Sequence, residues 1–154
     1  MADDSYTVER STTIAAPPAR VYAEIVDFHN WTKWSPWEDL DPALSRDYSG
    51  AASGPGAVYS WSGNRKAGKG RMTITDAAEP STVRIDLLFE KPFKARNDTV
   101  FSIRPDGDGS RVTWTLTGKQ TLATRVMAVF KSMDSLVGPD FEKGLARLKA
   151  TTEA

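Results

Sequence analysis

The spacing of apolar and polar positions changes period along the chain, and each change marks an expected element. From Tyr6 to Ile14 the period is two, with Val8, Thr12 and Ile14 on one side and Thr7, Glu9 and Thr13 on the other. This predicts a strand, with Arg10 in the inward phase near an end, from which its side chain can reach solvent. Pro17 and Pro18 follow, where a fixed φ and a missing N–H suit the first turn of a helix. Val21, Ile25 and Phe28 then recur at helical spacing, so a short helix is expected to run to about Val26. From Asp27 to Pro42 no period is sustained, and the tryptophan-rich stretch DFHNWTKWSPWEDLDP reads as irregular or as broken helical turns.

Beyond a loop around SGAASGPG, five segments of period two are each closed by turn residues, which is the pattern of an antiparallel meander. Their apolar faces carry Tyr59 and Trp61; Met72 and Ile74; Val83, Ile85, Leu87 and Phe89; Phe101 and Ile103 with Asn97 and Thr99 in phase; and Val112, Trp114 and Leu116. The opposite faces hold Arg71, Thr73, Arg84, Asp86, Asp98, Arg104, Thr113 and Thr115, as a solvated sheet face requires. The string PDGDGS is the clearest hairpin turn.

From about Thr124 the period becomes helical, with Val126, Phe130, Met133, Val137, Phe141, Leu145 and Leu148 in one stripe. Gly138 and Pro139 interrupt the stripe, and because proline cannot donate one turn back, a kink or break is expected there. The order of elements is α+β: an antiparallel sheet of six to seven strands with one long C-terminal helix. A single helix covers such a sheet incompletely. Either bulky side chains fill the remaining space or a hollow stays open.

Composition removes several chemistries. The 154 residues suit a single domain, 1–154. With no cysteine, thiol catalysis and thiolate metal sites are excluded, and with one histidine, His29, a zinc or non-haem iron site would have to be built almost wholly from carboxylates, so neither metal nor cofactor is expected. Twenty basic and twenty acidic side chains balance, which provides no field for nucleic acid. The opening MADDSYTVERS is acidic where a secretory signal is basic and then apolar, and no apolar run reaches membrane-spanning length; a cytoplasmic protein without an integral membrane segment is expected.

Local motifs carry little. Gly63 to Lys69 matches a phosphate-cradling loop up to the lysine, but Gly70 replaces the magnesium-binding hydroxyl and a strand follows, so a plain hairpin loop is expected. Arg65, Lys66, Lys69 and Arg71 read as a solvated basic loop. Asp27 and His29 have the types of a carboxylate-held base, with Ser35 nearby in sequence, yet spacing implies no nucleophile. Glu38 and Asp41 read as surface charge. Trp31, Trp34 and Trp37 either staple the loop to the core or line a pocket entrance, and Trp31 is assigned to structure.

The strings IAAPPARVYAEIVDFHNWTKWSPW, YSWSGN to GKGRMTI, RVTWTLTG and DSLVGPDFEKGLARLK, which together span nearly the whole chain, resemble the polyketide cyclase/dehydrase branch of the START-like superfamily. The resemblance implies the helix-grip fold, a curved sheet wrapped around the long helix, with a cavity between them that opens near Trp34 and Trp37. Spacing alone makes Tyr59, Trp61, Met72, Phe89, Phe101 and Trp114 core residues, facing Phe130, Met133, Val137 and Phe141 on the helix. With the resemblance they become a cavity wall, and a buried Asn97 becomes a polar contact.

The function expected is binding, as carrier or sequestering protein, of a small apolar lipid-like or aromatic metabolite. A polyketide aromatase/cyclase or dehydratase is the alternative; it needs a proton donor and acceptor inside the hollow, and the inward phases supply only Tyr59, Arg10 and His29 as candidates. A protein-interaction domain like chaperone co-activators is the third reading. The superfamily's fold does not choose among them.

Overall fold

The computed structural model describes residues 5–38, 41–65, 67–91, 94–119 and 133–153, the side chains of 5, 119 and 133–136 excepted. Strand β1 (Ser5–Ile14) leads into helix α1 (Pro18–Val26), a 3-10 helix (Phe28–Lys33) and a short strand β2 (Ser45–Gly50). A meander follows: β3 (Ala57–Ser62), β4 (Lys69–Ala78), β5 (Thr82–Lys91), β6 (Ala95–Asp106) and β7 (Gly109–Lys119). Helix α2 (Met133–Glu153) ends the described chain. The strands make one seven-stranded antiparallel sheet in the order β1-β7-β6-β5-β4-β3-β2. The α+β architecture expected from the periodicities is the one observed.

The sheet is amphipathic because its period is two. Val8, Ile14, Ile74, Val83, Ile85, Phe101, Ile103, Val112 and Trp114 are buried on one face, while Arg71, Arg84, Asp98 and Arg104 are exposed on the other. On the buried face α2 packs chiefly along β1, and α1 lies across β5, β6 and β7. Pro17 and Pro18 occupy the N-cap and first position of α1, as their spacing predicts.

Two details go beyond the pattern along the chain, the seventh strand and the continuity of the last helix where a kink or break was expected. Strand β2 has no period-two apolar signal, since every residue of SRDYSG except Tyr48 is exposed; it is a strand because its backbone pairs with β3, Tyr48 opposite Tyr59. The helix is not broken at Pro139, because α2 runs unbroken from Met133 to Glu153. An internal proline costs about 3 kcal/mol. Burial of Phe141, Leu145 and Leu148 just beyond it offsets that cost, and Pro139 itself lies on the exposed side.

Side chains fasten α2 to the middle of β1 and to its C-terminal end. Arg10 Nε donates to Glu142 at 2.9 Å, and its guanidinium lies over Gly138, where a Cβ would collide with it. Glu153 Oε2 accepts from the Ala15 amide at 2.8 Å and from Lys149 Nζ at 2.6 Å, while Lys149 also donates to the Thr13 carbonyl at 2.9 Å.

Candidate functional site

The site is built from register. Tyr59, Met72 and Leu87 form one row across β3, β4 and β5, and Trp61, Gly70 and Phe89 form the next. A Cβ on Gly70 would stand 2.5 Å from the Trp61 ring and 2.6 Å from the Leu88 carbonyl, so glycine there lets the indole lie flat across β4. The Trp61 ring is held at its far edge by Nε1–H donating to the Ala67 carbonyl at 2.8 Å. It meets Phe89 edge-on at 5.8 Å and Tyr59 at 6.2 Å.

Under this wall lies a partly open hollow of about 130 Å³, whose described lining is Ser35, Trp37, Glu38, Leu44, Tyr59, Trp61, Ala67, Met72, Leu87, Phe89 and Lys91. Its polar end is compact. Glu38, with a side chain only 9% exposed, accepts from Arg46 Nε at 2.6 Å and from the Tyr59 hydroxyl at 2.9 Å. Burial first, then the charge and hydrogen bond of Glu38, push the Tyr59 phenol well above its ordinary value, so it stays protonated. Reading Glu38 as surface charge is therefore corrected: the loop after the 3-10 helix turns it inward, where Arg46 of β2 neutralises it.

Of the side chains that sequence nominated as ligand contacts, the structure brings Trp37, Tyr59, Trp61, Met72 and Phe89 together on this hollow. Trp34, Phe101, Trp114 and Phe141 lie instead in a fully buried stack: Trp114 is sandwiched between Phe101 at 4.8 Å and Phe141 at 4.0 Å, and Trp34 meets it edge-on at 5.8 Å. The Trp34 indole donates to the Glu24 carbonyl at 3.1 Å and the Trp31 indole to Ile25 at 2.8 Å, so both satisfy carbonyls in the last turn of α1. Among the described residues the buried Trp114 indole N–H and Thr99 hydroxyl meet no hydrogen-bond partner.

Asn97 is buried and accepts from the Tyr6 hydroxyl at 2.6 Å, away from the hollow's described lining. Val137 packs half-buried against the core. Phe130 and the Met133 side chain fall outside the described residues.

Sequence reasoning missed Ser35, Leu44, Ala67 and Lys91 as lining, and Glu38 as its polar end. All but Lys91 sit in aperiodic loops, where no spacing signals which way a side chain turns. Leu87 was legible in the inward phase of β5. His29 Nδ1 lies 2.8 Å from Asp27 Oδ1 and its ring stacks on Tyr48 at 4.1 Å, whereas the Ser35 hydroxyl accepts the Trp37 amide at 3.4 Å. These contacts do not assemble a Ser-His-Asp relay. Between β3 and β4 the Gly63 amide donates to the Gly68 carbonyl at 2.9 Å, and the Asn64 amide donates to Asp41 at 2.8 Å.

Among the described residues no helix is long and apolar enough to cross a membrane, and no group of three or more potential ligands could hold a metal ion. The family model described as polyketide cyclase/dehydrase and lipid transport matches residues 5–153. Solved structures agree on the helix-grip fold. Protein CV1439 from Chromobacterium violaceum is 16% identical, with 96% of this chain and 97% of that one covered at a TM-score of 0.70. A solution structure from Thermobifida fusca is 22% identical over 95% and 92%, at 0.71. Ara h 8.0201 is 16% identical over 96% and 97%, at 0.65. A comparison with curated proteins finds no match.

Proposed function

Because the chain belongs to the polyketide cyclase/dehydrase and lipid transport family, we propose that it binds a small apolar lipid-like or aromatic metabolite in the hollow beneath Tyr59, Trp61 and Phe89. The observation that carries this reading is the wall itself: aromatic and aliphatic side chains from three adjacent strands and two loops border a partly open space. Each Å² of guest taken out of water contributes roughly 25 cal/mol before ordering costs. The space is comparable with cavities of about 150 Å³ that accept a single benzene ring. Its open side lets a longer guest protrude.

The cyclase or dehydratase reading draws on the adjacency of Glu38 and Tyr59. General acid catalysis favours a group whose pKa lies near the working pH. Tyr59, held far above that, keeps its proton and serves as an oriented contact, which supports binding over proton transfer.

The test is uptake. Native mass spectrometry of protein from its own host is expected to show a bound apolar molecule, and an apolar fluorescent dye is expected to bind and be displaced by it. Ala67→Trp, which fills the hollow from its loop side, is expected to weaken dye binding at least several-fold while leaving the circular dichroism unchanged. Undiminished dye binding in this variant would place the guest elsewhere and refute the assignment.

A further inference from the structure

The polar end of the hollow selects among apolar guests by what it has left to offer. A carboxylate accepts at about four positions. Glu38 has two of its positions filled, Oε2 by Arg46 and Oε1 by Tyr59. Tyr59 commits its only proton to the hydrogen bond it donates to Glu38, so its oxygen can offer a guest only acceptance. Both groups line the hollow. Beside them, one turn back through the Glu38 amide to Ser35 carbonyl bond of 3.4 Å, Ser35 also lines the hollow and carries a hydroxyl. It accepts the Trp37 amide, and among the described contacts its proton is uncommitted.

A hydrocarbon guest would cover these acceptors without satisfying them, which is costly for a group already removed from most of its water. An anionic guest would turn acceptor against acceptor. A hydroxyl satisfies both needs at once, donating to the carboxylate and accepting from serine.

We infer that the hollow is specific for apolar molecules ending in a neutral hydroxyl, phenols or alcohols, with that hydroxyl seated on Glu38. This rests on the binding reading above and names its ligand class. Lys91, exposed at the rim, provides the rival anchor: an anionic head pairing there would leave Glu38 facing only the tail.

A matched series separates the two. Wild-type protein is titrated with 4-ethylphenol, ethylbenzene and 4-ethylbenzoate, followed by NMR through the indole N–H resonances of Trp37 and Trp61. The phenol is expected to bind about tenfold tighter than the hydrocarbon, the scale of one hydrogen bond to a charged acceptor, and the benzoate weakest. In Glu38→Gln the phenol's advantage is expected to fall below about threefold, with ethylbenzene affinity unchanged.

Equal binding of phenol and hydrocarbon by wild type, or preference for the benzoate, would overturn this inference while leaving the binding reading intact. So would a full phenol advantage in a folded Glu38→Gln protein. Should that variant not fold, the wild-type ranking decides alone. If none of the three probes shifts either indole, the hollow takes no such guest and the function proposed above falls as well.

Discussion

Gly118 stands in the inward phase of β7, where Val112, Trp114 and Leu116 each place a side chain in the core. Glycine is required because the Tyr6 hydroxyl and Asn97 Oδ1 occupy the space a Cβ would take, 2.7 Å from Tyr6 and in collision with Asn97. Gly118→Ala is therefore expected to lower stability by about 2–3 kcal/mol, through overpacking and loss of the Tyr6–Asn97 bond, read as a shift in denaturant midpoint. An unchanged midpoint would mean that the pair can move aside freely. The same residue shows what sequence can and cannot reveal. The inward phase of Asn97 was legible from its two-residue spacing with Phe101; that its partner is a tyrosine 91 positions earlier was not, because spacing carries no information across paired strands. Glu38 was illegible for a related reason: an aperiodic loop has no phase, and only the fold brings Arg46 and Tyr59 to it.

Among the elements, α2 depends on a clasp at its C-terminal end. The backbone amide of Ala15 first, then Lys149, hold the Glu153 carboxyl below its ordinary value. A carboxyl lowered in the folded state binds its proton less tightly there than in the unfolded chain, so its contribution is present above the ordinary Glu range and is lost as pH falls through the folded value. Wild type is expected to be more stable than Glu153→Gln at neutral pH, and the difference to vanish in acid. Paired denaturation curves across pH 7 to 2 would check this; a gap that persists at the acid end would show that the clasp does not depend on charge. The helices and the meander were legible because burial on one side imprints a period. Strand β2 was not, since a short polar edge strand takes its conformation from β3 rather than from burial. Pro139 was overruled because local propensity yields to tertiary packing.

At the scale of the whole molecule, all four tyrosines, Tyr6, Tyr22, Tyr48 and Tyr59, have phenols raised above 10.0, in each case first by burial. A group whose folded value is raised contributes stability below its unfolded value and loses it as pH rises past that point. Stability is expected to decline above about pH 10, the phenolate absorbance appearing together with loss of circular dichroism rather than before it. Phenolate formation in a fully folded molecule near pH 10 would contradict this.

The topology also joins distant parts of the chain. Among the described residues strand β1 pairs only with β7, and its other large contact is with α2. Ser5 faces Lys119 and Ile14 faces Ser110, so closing this edge of the sheet brings together segments far apart in sequence, which slows folding. Until that edge closes, the oily side of β1 and that of the meander stay bare, which leaves partly folded molecules prone to stick to one another.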